Sequence, residues 1–294
     1  MRLEPGWPLC SRLRLLQTSR ASVAQQALVI GDQTVLRRLL LRVLPRGVKD
    51  RVKRWVRSNV GVDPAGGDAG GIETALRRVD PRITVVFDIG ANVGDVTCLM
   101  LEMFPKATVF AFEPCSSTFA RLRERMMASQ YGDRVRLFNH GFYDEECTRA
   151  LHVTSHHGAN SVLEIAPEYH EMNPHIQTKG VEGISLTRLD DFVVEQGINH
   201  IDLVKIDVEG AEYEVLSGGE RTLRAMVDVV FCELSFVRWP REDGRFIQIL
   251  QLMHQCGFAP AELYDVAQVD PGKSNAKWRL AQVDCVFRRY GSQV

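Results

Sequence analysis

Ten residues, VVFDIGANVG from Val85 to Gly94, constrain the fold of this chain more than any others. An apolar run carries an acid, Asp88, near its end. A glycine turn follows, and then an amphipathic segment begins. That order reads as strand, tight turn and helix start, the place where an α/β fold holds a nucleotide-like ligand. The glycines, Gly90 and Gly94, are spaced G-x-x-x-G. A dinucleotide fingerprint is G-x-G-x-x-G. The missing middle glycine is the one that lets a pyrophosphate approach the backbone, so the turn predicts a nucleoside ligand without one.

The remainder of the chain repeats the alternation. Strands are expected at Val85–Ile89, Thr108–Phe112, Arg134–Phe138, Asp202–Ile206 and Val227–Cys232, with final strands at Ala259–Tyr264 and Val283–Arg288. Helices are expected at Asp95–Phe104, Ser116–Met127, Leu189–Glu195, Ala211–Ala225 and Arg245–Cys256. Arg149–Val153 reads as a short extra strand and Ile184–Leu186 as extended, and the polar segment from Thr154 to Gly180 shows little periodicity. Alternation of this kind predicts a mostly parallel sheet with helices on both faces.

The first 80 residues differ. They carry 15 Lys and Arg against 7 Asp and Glu, whereas the other residues carry 21 against 30. Within 35–57, Val48, Val52, Trp55 and Val56 recur at helical spacing beside nine basic residues and one acid. A helix docking its apolar face on the main domain is favoured over a membrane-surface or partner-binding helix, because a basic amphipathic pattern alone is weak. Gly61 to Gly71 reads as a linker. The sequence thus divides into a basic helical extension with a Gly-rich linker over 1–80 and a main domain over 81–294. A net charge of −1 gives no global electrostatic case for nucleic acid. Seven cysteines include no C-x-x-C pair, and no apolar run approaches the roughly 20 residues that span a bilayer, so a reduced, cytoplasmic protein is expected.

Acids at the ends of three strands carry the chemistry. Asp88 ends the first strand. Glu113, 25 residues on in FAFEP, ends the second and is placed to accept hydrogen bonds from both hydroxyls of a ribose. Asp207 follows the fourth strand in DLVKIDVEGAE, where a carboxylate can stabilise a cationic sulfonium, orient an amino group, bind a cation or take a proton. Glu212 reads as a solvated helix-start charge. Asn139, at the tip of the third strand, is a candidate for the base edge. Ribose and sulfonium together make S-adenosylmethionine the expected ligand.

At this point the chain resembles the FkbM family of S-adenosylmethionine-dependent methyltransferases, mostly O-methyltransferases. The resemblance rests on FDIGANVG from Phe87 to Gly94, FAFEP from Phe110 to Pro114, LTRLDD from Leu186 to Asp191, IDLVKIDVEGAE from Ile201 to Glu212, VLSGG from Val215 to Gly219, Gly257-Phe258, and DCVF from Asp284 to Phe287. It covers about Thr84 to Arg288. It implies a Rossmann-like class I methyltransferase sheet of seven strands, the last antiparallel. It implies cofactor contacts at Asp88, Gly90, Asn92, Gly94 and Glu113, with Asp207 near the reacting end. The acceptor it implies is a small molecule or glycan.

Six of the eight histidines lie between His140 and His175. Their spacing is irregular, so no metal site is expected. His156, His157 and Ser161, in SHHGANS, are candidates for a substrate lid that supplies a general base, because imidazole titrates near neutral pH, and Asp207 or Glu233 at the end of the fifth strand could serve instead. The rival readings are a binding protein that keeps the fold without the activity, and a nicotinamide oxidoreductase, which the missing glycine disfavours.

Overall fold

The computed structural model describes residues 71–164, 175–236, 245–269 and 279–290. The chain divides into two units. Asn59–Ala267 with Ala281–Val294 is the one built below, and Met1–Ser58 with Gln268–Leu280 is the other. The basic helices expected over 35–57 lie outside the described residues, as does the linker except for Gly71, which opens helix α1 (Gly71–Leu76).

Seven strands form one sheet in the order β3-β2-β1-β7-β8-β10-β9. They are β1 (Val85–Ile89), β2 (Thr108–Phe112), β3 (Val135–Phe138), β7 (Ile201–Ile206), β8 (Val227–Ser235), β9 (Phe258–Val269) and β10 (Arg279–Arg289). β1, β2, β3, β7 and β8 pair in parallel, and β10 returns antiparallel to β8. The parallel strands are mostly apolar because helices cover both faces. Those helices are α2 (Asp95–Met103), α3 (Ser116–Ala128), α4 (Leu189–Glu195), α5 (Glu212–Gly218), α6 (Glu220–Met226) and α7 (Phe246–Gln255). Ala75 and Leu76 of α1 join Met100 and Leu101 of α2 in the core.

On one face of the sheet Phe112 packs against Phe138 (5.0 Å between centroids) and edge-on against Phe192 of α4 (5.1 Å). The chain leaves β1 toward β2 on one side and leaves β7 toward β8 on the other. The crevice beyond the carboxyl ends of β1 and β7 is therefore the switch point where open α/β sheets bind ligands.

Two regions differ from their sequence expectation. A second sheet, β4-β6-β5, is built from β4 (Gly141–Phe142), β5 (Cys147–Thr154) and β6 (Thr178–Thr187). Most side chains from Thr178 to Gly183 are exposed, and only Ile184 and Leu186 of β6 are buried. The first half of β6 therefore has no apolar alternation to read, although it pairs with β5 along its length. The helix expected from Ala211 to Ala225 is two helices, α5 and α6, meeting at Gly219. The Gly218-Gly219 pair is the weakest helix-forming step in the segment.

Candidate active site

The floor of the crevice is the β1–α2 turn. Gly90 has φ +80°, and a β-carbon there would lie 1.8 Å from the backbone oxygen of Asp207. The N–H groups of Gly90 and Ala91 both donate to Phe112 O (3.0 and 2.9 Å), and the missing side chain lets the β1 turn touch the β7 tip. Gly90→Ala is expected to cost more than about 3 kcal/mol, combining backbone strain with a clash against main chain. Gly132→Ala, with nothing within 4 Å of the added carbon, is the near-neutral control. Equal denaturation midpoints for the two variants would refute this.

Glu113 sits just beyond β2 and is 7% exposed. Its Oε2 accepts the Asn92 N–H (3.0 Å) and its Oε1 the Cys115 N–H (2.9 Å). Each oxygen keeps a lone pair for a further donor. Burial pushes its pKa up to about 7, against the two backbone N–H bonds and Lys205, which pull it down.

Asp88 is fully buried. Its Oδ2 accepts Thr97 Oγ1–H at 2.6 Å, and its Oδ1 lies 3.3 Å from Lys205 Nζ without hydrogen-bond geometry. Lys205 was not singled out from the sequence. It is the penultimate residue of β7, 2% exposed, donates to Gly90 O at 2.9 Å, and is 3.4 Å from Asp207 Oδ2. The signal available was a lysine inside an otherwise apolar strand, which is costly unless paired. The Asp207 side chain is 44% exposed and faces the crevice.

These groups wall a cavity of about 230 Å³. Of the residues expected to bind cofactor, Gly90, Asn92, Glu113 and Asp207 line it. Asp88 lies beneath, held by Thr97 and Lys205. Gly94 faces away: it caps α2, and a β-carbon there would meet Leu122 Cδ1 at 2.7 Å. Asn139 donates through Nδ2 to Glu113 O (2.9 Å) and Pro114 O (3.0 Å), tying the tips of β2 and β3 together. The wall there comes from His140, Gly141, Phe142 and Tyr143 instead.

His157 lines the cavity from the 3₁₀ turn His157–Ala159, whereas His156 stacks behind it at 5.5 Å and is not part of the wall. Burial first, then Arg121 and His156, hold the His157 pKa below the usual histidine value. Ser161 Oγ–H donates to Glu209 O at 2.7 Å, pinning this segment to the turn after β7. Glu212, read as solvated, is buried: its Oε1 accepts the N–H groups of Val208 and Gly210, both at 3.1 Å.

Two buried polar atoms at the cavity, Asn92 Oδ1 and His157 Nδ1, have no hydrogen-bond partner among the described residues. Such atoms are costly unless a ligand satisfies them. Together with the acids at the tips of β2 and β7 they fit S-adenosylmethionine. Glu113 and Asn92 offer acceptors for hydroxyl or ammonium groups, and Asp207 offers negative charge to a sulfonium. Among the described residues the converging trio of metal-ligating side chains, His200, Asp202 and Asp228, lies at the opposite edge of the sheet.

A seven-stranded α/β sheet with a carboxylate-lined crevice at its switch point defines a nucleoside-binding α/β protein. The model of the methyltransferase FkbM domain matches residues 88–260, more than half the chain, and the protein belongs to that family. The 2-O-methyltransferase NoeI of Sinorhizobium fredii is 33% identical over 158 residues, 52% of this chain and 63% of that protein. The chain therefore spans less than two thirds of this relative. The 31-O-demethyl-FK506 methyltransferase FkbM of Streptomyces tacrolimicus is 29% identical over 64% of this chain and 75% of that one. The hexuronic acid methyltransferase AglP of Haloferax volcanii is 30% identical over 50% and 54%. The crystal structure of a methyltransferase FkbM from Methylobacillus flagellatus gives a TM-score of 0.43 at 12% identity, covering 72% of this chain and 44% of that one.

Proposed function

We propose that this protein is an S-adenosylmethionine-dependent O-methyltransferase whose acceptor is a hydroxyl on a sugar, glycan or secondary metabolite. The observation that carries the reading is the convergence of Glu113, Asp207 and His157, from three distant parts of the chain, on one cavity at the switch point. The names of NoeI, FkbM and AglP, which speak of 2-O-methylation, 31-O-demethyl-FK506 and a hexuronic acid, support the acceptor class.

When bound, the cofactor supplies a methyl group on a positively charged sulfur, ready for attack by oxygen. The protein has to hold an acceptor oxygen in line with that methyl group, and positioning supplies much of the acceleration. Glu113 holds the ribose hydroxyls and Asp207 the cationic end. His157 takes the acceptor proton as the O–CH₃ bond forms, because its ring faces the cavity and its lowered pKa keeps it neutral at physiological pH. His156, outside the wall, orients His157 by stacking. The cytoplasm is the proposed compartment, in keeping with the free thiols of the described cysteines.

The decisive experiment incubates purified protein and isotopically labelled S-adenosylmethionine with an extract of its host and looks by mass spectrometry for a labelled product heavier by one methylene unit. No labelled product would refute the reading. Once an acceptor is in hand, the acid limb of the pH–rate profile is expected below the ordinary histidine value of about 6.5. A base with a lowered pKa stays deprotonated further into acid. His157→Ala should abolish that limb and lower kcat about 10²-fold or more; an unchanged limb would remove His157 as the base.

A further inference from the structure

We propose that Lys205 is a positioning residue of the cofactor site: a buried ammonium that clamps Asp88, the Gly90 carbonyl and Asp207, and leaves that cluster with one negative charge, the complement of a singly cationic ligand. The inference rests on the S-adenosylmethionine reading above and adds the residue that sets the charge of its site.

The position argues for a task. Leu203, Val204 and Ile206, its neighbours on β7, are buried and apolar, and an apolar residue at 205 would continue the strand. Burying an ammonium is costly unless it is paired and hydrogen-bonded. Here the pairing is complete. Nζ donates to Gly90 O at 2.9 Å and lies 3.3 Å from Asp88 Oδ1 and 3.4 Å from Asp207 Oδ2. Those partners belong to β1, the β1–α2 turn and the β7 tip, the three segments that make the crevice floor. Among the described residues, Lys205 is also the only lysine or arginine in the cavity wall.

The charge balance follows. One ammonium against Asp88 and Asp207 leaves the cluster at −1. Burial pulls the Lys205 pKa down, but Asp207 and Asp88 outweigh burial and hold it above the ordinary lysine value, so the charge persists. The ammonium in turn pulls down the pKa values of Glu113 from the end of β2, Glu209 from the turn after β7 and Asp284 from β10, all of which burial raises. Without it, Asp88 and Asp207 face each other with no counter-ion between them. Neighbouring carboxylates in that situation share a proton. A cationic ligand must then expel the proton in order to bind. A lysine that only filled space would leave no such trace.

The test is calorimetry of S-adenosylmethionine binding to the full-length protein, in two buffers of different ionisation enthalpy, at several pH values between about 6 and 9. Lys205→Met is expected to bind at least about tenfold more weakly near neutral pH, to recover affinity as pH rises, and to release more protons on binding than wild type. Asp88→Asn/Lys205→Met, which returns the cluster to one negative charge, is expected to release the wild-type number. Equal proton release by Lys205→Met and wild type overturns the inference, whatever the affinity.

Should Lys205→Met not fold, Asp88→Asn alone provides the second arm. It keeps the lysine and brings the cluster to zero charge. Its preference for S-adenosylmethionine over the uncharged-sulfur product S-adenosylhomocysteine is expected to fall about fivefold or more, at a cost of about 1 kcal/mol. An unchanged preference overturns the inference. Absence of S-adenosylmethionine binding by the wild-type protein sinks the functional reading first, and this one with it.

Discussion

Replacing Glu113 with glutamine is expected to stabilise the ligand-free protein above neutral pH while weakening S-adenosylmethionine binding about 10- to 100-fold. Both effects follow from a carboxylate that burial has pushed up to about 7. The unfolded value is about 4.3. As pH rises, the unfolded chain therefore loses this proton first. Stability that is fully present below about pH 4 is lost as pH climbs through the folded value near 7. At about 1.4 kcal/mol per pKa unit the loss approaches about 4 kcal/mol. Glutamine does not ionise and escapes this loss, but its amide nitrogen cannot accept one of the two N–H groups that Glu113 now holds, which costs about 1 kcal/mol. The net gain is about 3 kcal/mol at alkaline pH, with a small deficit in acid. Denaturant melts at about pH 4 and about pH 8 should show the sign reverse; the same difference at both would refute the buried-acid account. The binding loss is the change of two charge-assisted hydrogen bonds to ribose hydroxyls into neutral ones. Calorimetry showing unchanged affinity would withdraw Glu113 as the ribose ligand.

Asp207→Asn is expected to lower kcat/KM about 100-fold or more, near 2.7 kcal/mol of transition-state stabilisation. The side chain is isosteric, so the fold should survive. The change removes the carboxylate that both faces the cavity and balances Lys205 at 3.4 Å. Asp88 is then left alone with the ammonium, and the floor of the crevice loses its negative charge. Turnover within a few fold of wild type would take Asp207 out of the reaction.

The local parts of this molecule were legible because they depend on neighbours in sequence. An apolar run, an acid and a glycine mark a strand and its turn wherever they occur, and the strand tips of a parallel sheet face one crevice by topology. That is why Glu113 and Asp207, 94 positions apart by their numbering, meet where the sequence placed them. Alternation of strands and helices gave the mostly parallel sheet, and the resemblance to the FkbM family, not a local rule, implied its seven strands and the antiparallel β10. The second sheet was not foreseen, because β6 exposes most of its first six residues and owes its place to hydrogen bonds with β5 rather than to an apolar pattern. Nor was the division of labour among the motif residues. Asp88, Gly94 and Asn139 bear the motif chemistry but point into the core, the α2–α3 contact and the β2–β3 tips.

The sequence by itself determined that this chain builds an α/β sheet with carboxylates at three strand tips, because periodicity and turn chemistry act over a few residues. Only the tertiary structure decided which of those carboxylates reach the cavity and what balances them. The lysine that does so is hydrogen-bonded to a glycine carbonyl 115 residues earlier in the chain, and no local rule couples residues at that distance.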